Sequence, residues 1–306
     1  MQKQTSLLGL SHCVVLSNGI VDVTVSTEIG PRILSYGFSG QDNILGLYPA
    51  VATPTEWGEW KPWGGHRLWT APEAIPRSYA PDSAPVRSDN EGEFSLRLRQ
   101  ETDRSGVEKE MEVSLAPEGT AVTITHRITN RTLWPVRLAA WGITIMAPGG
   151  WGLMPLAEFR SHDEELLPAQ PLVLWYFTDL SDPRWVLGSQ CVALRTDPGY
   201  PAPQKAGIMN REGWCAYIRG REIFVKEFPF ENGQEYPDYG CNNEMYGAGS
   251  YLELESLGPM RMLAPGESCD HVERWSLLRH ERAMGTVADS APEVCRMIRG
   301  KIGSGR

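Results

Sequence analysis

What the chain lacks narrows the field first. It has no run of basic residues, and 29 Lys and Arg stand against 38 Asp and Glu, a formal net charge of -9. Nucleic acid is therefore not an expected partner, because affinity for a polyanion comes largely from cations that neutralise phosphates. The six cysteines (Cys13, Cys191, Cys215, Cys241, Cys269 and Cys295) form no CxxC and no Cys/His ligand spacing. That pattern fits free thiols in a reducing compartment rather than a disulfide framework or a zinc site. No charged segment followed by an apolar stretch opens the sequence, so the expected location is the cytoplasm. Positions 138–157 carry no charge, yet Pro148, Gly149, Gly150, Gly152 and Pro155 interrupt them, which reads as buried strand followed by loop and not as a membrane span. A G-x-S-x-G elbow, a P-loop, a GxGxxG turn after a strand and an HExxH helix are all missing. Hydrolase, nucleotide and zincin chemistries thus lack their usual mechanical parts, and neither a cofactor nor a metal is expected. Oligomeric state leaves no trace in the sequence.

Helical periodicity is also scarce. Short alternating runs replace it, punctuated by 31 Gly and 23 Pro. Val21, Val23 and Val25 share a face before Gly30 and Pro31 break the run, and strands resume at 94–99, 109–115 and 121–129 with turn residues between them. Further strand-like runs lie at 136–146, 172–177, 185–195, 214–219, 223–228, 250–257 and 271–278. Only the tail reads as a helix, with Ser290 as cap, Pro292 in the first turn and Val294, Met297 and Ile298 on one side. The expectation is one all-β domain with a core over about 10–280 and a tail over 281–306. Between Asn43 and Arg87 the alternation dissolves into Pro, Gly and Trp, a long connection of the kind a compact domain keeps for function.

That connection holds the run WGGHRLW from Trp63 to Trp69. Paired glycines let a backbone approach a ligand, and His66 beside Arg67 sets a titratable group next to a fixed cation. Trp69 and the other ten tryptophans offer flat faces to a sugar ring. The bland alternative is a glycine-rich loop with a hydrogen-bonded histidine and a structural ion pair. A second signal is SYLELESL from Ser250 to Leu257, where period two sets Leu252 and Leu254 on one face and Tyr251, Glu253 and Glu255 on the other. Two carboxylates roughly 6.5 Å apart along a strand can raise one another's pKa and supply a general acid or base. An ordinary solvated strand face is the alternative there. Asn242, Asn243 and Glu244 add polar groups just upstream. Lys226 alternates with Ile223 and Val225 and shares a face with Phe224 and Phe228, as a ligand contact or as a stem lying on aromatic surface. His126 shares a face with Val122, Ile124 and Ile128 and reads as core.

Three places resemble the aldose epimerase, or galactose-mutarotase-like, superfamily. Gly30 to Ser35 (GPRILS) is similar to its early G-x-R-I strand, Gly64 to Arg67 (GGHR) to its histidine-bearing loop, and Leu252 to Trp275, with Pro265, Gly266 and Glu267, to its late acidic strand and final hairpin. The resemblance implies a β-supersandwich of many antiparallel strands that binds a small-molecule carbohydrate in a concave face. It also implies ring opening and closing by a base on the anomeric hydroxyl and an acid on the ring oxygen. Carried over, Glu255 is the base with Glu253 as the alternative, and His66, beside Arg67, is a catalytic or sugar-contacting group; with the residue reading above, the expected sugar contacts are Arg67, Lys226, Glu244, Glu253, Asn243 and Trp69. One departure stands out: the middle strand, where such proteins carry a second histidine, reads AWGIT from Ala140 to Thr144. The two functions in view are therefore an aldose 1-epimerase-type isomerase and a non-catalytic carbohydrate binder. A glycoside-cleaving pair of Glu253 and Glu255 is a distant third, since such partners must flank a bond.

Overall fold

The computed structural model describes residues 2–304. Alternating sequence builds two large antiparallel sheets that stack face to face. The first runs Gln2–Leu7, Leu10–Ser17, Val21–Ser26, Arg32–Phe38, His66–Ala71, Val136–Met146, Tyr251–Leu257, Asn243–Ala248, Gln204–Ile208 and Leu172–Leu174, with Arg261–Leu263 paired to the start of Val136–Met146. The second runs Arg87–Gly92, Ser95–Arg99, Val107–Leu115, Val122–Asn130, Ser268–Arg279, Glu222–Glu227, Trp214–Arg219, Trp151–Pro155, Cys191–Arg195 and Trp185–Leu187. The expected all-β architecture is what the backbone adopts.

The main core fills the space between the sheets. Val21, Val23 and Val25 point into it from the first sheet and Met111, Val113, Ile124 and Trp275 from the second. The tail helix, Val287–Ser304, covers the other face of the second sheet, where Val294, Cys295 and Ile298 pack on Leu153, Ala193, Trp214 and Ile223. It begins earlier than the sequence suggested. Asp289 N and the hydroxyl of Thr286 pair at 3.4 Å, so Thr286 caps the helix, Ser290 lies inside it and Pro292 falls in its second turn. The 185–195 run likewise divides at Gly188 into two paired strands.

The largest departure concerns the WGGHRLW segment. His66–Ala71 is not loop but a buried central strand, hydrogen-bonded to Val136–Met146 along six residue pairs. The glycines before it serve backbone packing: a Cβ on Gly64 would lie 2.2 Å from Gly46 O, and one on Gly65 2.0 Å from Ile33 O, at φ values of +99° and +70°.

Candidate functional site

Five neighbouring strands of the first sheet set the site by their register. Ile143 lies opposite Arg67 on one side and Glu255 on the other, Glu255 is paired with Glu244, and Glu253 is paired with Tyr246, which in turn faces Lys205. Since successive side chains alternate, Arg67, Trp69, Trp141, Ile143, Glu253, Glu255, Glu244, Tyr246 and Lys205 all leave the sheet on the side away from the main core. Leu68, Leu252, Leu254 and Met245 leave it inward.

On that outward side lies a cavity of about 550 Å³, within the range of small-molecule sites. Its walls are mainly aromatic, from Trp60, Trp69, Trp141, Trp175, Tyr79, Phe177, Tyr246 and Tyr251, and its charged lining residues are Arg67, Lys205, Glu73 and Glu253. Another cavity of similar volume, on the outer face of the second sheet, is lined by Arg and Glu side chains already paired across strands and by no aromatic ring.

Both cations of the aromatic cavity are embedded. The Arg67 guanidinium lies over the rings of Trp60 and Trp69, 4.9 and 4.4 Å from their centroids, and donates to Glu253 Oε1 at 3.3 Å. Tyr251 donates to the same oxygen at 2.6 Å. Among the described residues, Nε and Nη1 of Arg67 have no hydrogen-bond partner. The Lys205 ammonium sits 4.9 Å from the ring centroid of Trp141 and 4.7 Å from that of Trp175, and pairs with Glu244 at 2.8 Å and Glu255 at 3.0 Å. Glu255 Oε2 also accepts from Trp141 Nε1 at 2.9 Å, while its Oε1 has no partner among the described residues.

These contacts set the protonation states. Burial would lower the Lys205 pKa, but the adjacent Glu244 and Glu255 carboxylates outweigh it and hold the ammonium firmly protonated. Burial drives Glu244 well above the carboxylate range against the pull of Lys205. Glu253 is also raised, chiefly by burial and further by Glu255, with Arg67 opposing. The cavity therefore offers a carboxyl group able to hold a proton, Glu253, while Glu255, two positions along the strand, is buried behind the lining with its Oε1 unpartnered among the described residues.

His66 and Lys226 do not reach this cavity. Neighbours in a strand point to opposite faces, so the strand that turns Arg67 outward turns His66 inward. There, His66 Nε2 meets His126 Nε2 at 2.7 Å, His66 Nδ1 meets Thr144 Oγ1 at 2.8 Å, and His126 Nδ1 meets the His271 carbonyl at 2.9 Å. Lys226 pairs with Glu273 at 2.9 Å and donates to the carbonyls of Gly142 and Leu254. Asn243 also turns inward, donating to the Glu255 carbonyl at 2.8 Å. Of the residues singled out from sequence, the fold gathers Arg67, Trp69, Glu244, Glu253 and Glu255 at one face and sends His66, Lys226 and Asn243 to the other.

His66, His126 and Glu273 are close enough to suggest a metal centre. Their surroundings argue otherwise. Glu273 already accepts from Ser256 Oγ at 2.6 Å and Trp275 Nε1 at 2.7 Å, and the Lys226 ammonium would repel a cation. Burial holds His66 and His126 below the ordinary imidazole pKa and His271 down to about 3, while Lys226 and the three imidazoles keep Glu273 ionised despite its burial. This is an internal polar network, each member bonded to another.

Comparison with known proteins now bears on the same arrangement. No family model and no curated protein matches the sequence. Solved structures do match. A candidate mutarotase (YeaD) from Salmonella typhimurium superposes with a TM-score of 0.59 at 10% identity, over 91% of this chain and 94% of its own. A galactose mutarotase-like protein from Lactobacillus casei ATCC 334 gives 0.52 at 9% identity, over 87% and 100%. The fold is galactose-mutarotase-like. A candidate aldose 1-epimerase from Klebsiella pneumoniae subsp. pneumoniae MGH 78578 extends the likeness to 98% of this chain and 86% of its own, at 0.56 and 13% identity. On a galactose-mutarotase-like scaffold with such distant sequences, the site must be argued from its own side chains. Lys205, Trp141 and Trp175 escaped the sequence reading, although the alternation of Lys205 and Gly207 with Ala206 and Ile208 was there to be seen.

Proposed function

We propose that this chain binds a small, uncharged carbohydrate in the aromatic cavity of its first sheet. One observation carries the reading: eight aromatic side chains enclose a space that also presents Arg67, Lys205 and Glu253, so stacking faces and polar groups meet where a sugar has both apolar and hydroxyl surfaces. The absence of a ligand charge follows from the pairing. While Glu253 is ionised it neutralises Arg67, and Lys205 is tied to both Glu244 and Glu255, which leaves no unneutralised cation for a phosphate or a carboxylate. The similar solved structures described as mutarotase or aldose 1-epimerase favour the same ligand class.

Thermal stabilisation by a panel of neutral aldoses tests this, because a ligand that binds only the native state at 100 times its Kd adds about 2.7 kcal/mol. No shift with any of them at such concentrations would overturn it.

A second reading adds isomerisation at the anomeric carbon. It is favoured by the state of the two carboxyl groups, since Glu253 can hold a proton and Glu255, on the same face, has one oxygen without a hydrogen-bond partner among the described residues. Glu255 would take the anomeric hydroxyl proton as Glu253 protonated the ring oxygen. The ring C–O bond would break, the aldehyde would rotate, and reclosure would reverse both transfers. No imidazole takes part, because His66 and His126 face the core. Exchange NMR of the two anomers decides between the readings: rates no faster with the wild type than with Glu255→Gln leave binding alone.

A further inference from the structure

Positions 156–184 join the second sheet's Trp151–Pro155 strand to its Trp185–Leu187 edge strand, and within them only Leu172–Leu174 pairs, as the outermost strand of the first sheet. A connection this long with so little regular structure is kept for a task. Its side chains are poorly buried, with Phe159, Leu166, Leu167 and Tyr176 largely exposed. Yet Trp175 and Phe177 turn back to form a wall of the cavity, Phe177 against the ring of Tyr246.

What holds that wall is local and polar. The Thr178 hydroxyl donates to the carbonyl of Lys205 and accepts from the N–H of Trp175 at 3.1 Å. Beside it, Asp179 N donates to Gln204 Oε1 at 2.9 Å. The anchoring backbone belongs to the residue whose ammonium lies under the Trp175 ring, 4.7 Å from its centroid. We infer that Thr178 is a positioning residue: its hydroxyl latches the Trp175 turn over Lys205, so the cavity's aromatic wall, and its grip on the bound sugar, depend on a side chain that does not line the cavity. The part that concerns the sugar rests on the function proposed above, while the latch itself does not.

The test uses the full-length protein with Thr178→Val, which keeps the shape and removes both hydrogen bonds, and Thr178→Ser, which restores the hydroxyl. Brief chymotrypsin digestion reads cleavage at 175–177, and in fast exchange the rate tracks the population of the opened turn. Losing a hydroxyl that bridges two backbone groups is expected to raise cleavage about tenfold in Thr178→Val, with Thr178→Ser near wild type. D-glucose and D-galactose are then titrated into all three proteins by saturation-transfer NMR. Affinity for whichever sugar the wild type binds is expected to fall roughly tenfold in Thr178→Val and to recover in Thr178→Ser. Equal cleavage of wild type and Thr178→Val overturns the latch. Faster cleavage with unchanged sugar affinity shows that the turn does not shape the site, and overturns the inference as well. Should the wild type bind neither these two nor any other aldose of the panel, the carbohydrate reading fails, and the latch stands or falls on the cleavage rates.

Discussion

Replacing Lys205 by methionine tests whether one buried ammonium organises the cavity floor. Methionine retains most of the stem and its contact with Trp141 and Trp175 but leaves Glu244 and Glu255 facing each other across two paired strands without a cation. Breaking a buried ion pair by removing one partner costs about 3–5 kcal/mol, and the lost cation–π contacts lie within that range. With an unfolding entropy of about 2.1 cal/mol/K per residue over 306 residues, this corresponds to a fall in Tm of roughly 5–8 °C near pH 7.

The pH dependence makes the test specific. Glu244 already sits above its ordinary range in the intact protein, and removing Lys205 takes away the main influence holding it down. A carboxyl raised in the folded state binds protons there that the unfolded chain does not. Its stabilisation is complete below about 4.5 and is lost as pH rises through the folded value. The deficit of Lys205→Met relative to wild type must therefore shrink as pH is lowered from 7 to 5, and Glu244→Gln added to Lys205→Met must recover part of it at pH 7. Differential scanning calorimetry at both pH values measures each difference. A loss below about 1 kcal/mol at pH 7, or a deficit that grows on acidification, would refute the reasoning.

Three further outcomes follow from the same geometry. Glu253→Gln should free the Arg67 guanidinium, so that D-glucuronate, expected to bind wild type worse than D-glucose does, binds the variant better than it binds wild type; calorimetric titration of both sugars shows it. Gly142→Ala should destabilise by about 1–3 kcal/mol, seen as a lower urea midpoint, because the new Cβ would lie 2.2 Å from Glu273 Oε1 and 3.3 Å from His66 Cε1. For His271 the folded pKa of about 3 lies below the unfolded value, so stability present at neutral pH is lost as pH falls below about 6.5. His271→Asn removes that contribution, and the gap between the two proteins in urea titrations should close by up to about 1.4 kcal/mol per pH unit on acidification, whatever its size at pH 7.

Much of the fold was legible because its strands alternate. Val136–Met146 and Trp214–Arg219 begin and end where their apolar runs do, and Leu252 and Leu254 face the core while Tyr251 and Glu253 face the cavity and Glu255 leaves the sheet on the same side, as period two requires. The His66–Ala71 strand was hidden for the opposite reason. It is buried on both faces, so polar His66, Arg67 and Thr70 occupy positions where alternation would call for a hydrophobe, and the glycines before it imitate a loop. Lys205 was missed because the alternation that carries it spans only a five-residue strand entered from Pro203, too short for periodicity alone to set it apart from loop.

The same strands explain why the histidine and the lysine were misplaced with respect to the site. Central strands here carry polar side chains on both faces: Arg67, Glu253 and Glu255 on one, His66, Thr144 and Ser256 on the other. In sequence the two sets interleave residue by residue, and chemistry alone does not sort them. A histidine beside an arginine looks like one site, yet on a strand it is two, because adjacent residues lie on opposite sides of the sheet. The sorting comes only from knowing that the segment is a strand and which face is closed by the second sheet. Glu273, Lys226 and His126 arrive from that sheet to satisfy the inward set, whereas the outward set is closed only in part, by Trp60 and the Trp175 turn. Partial closure leaves the outward face the room that a ligand requires, beside Arg67, whose Nη1 has no hydrogen-bond partner among the described residues.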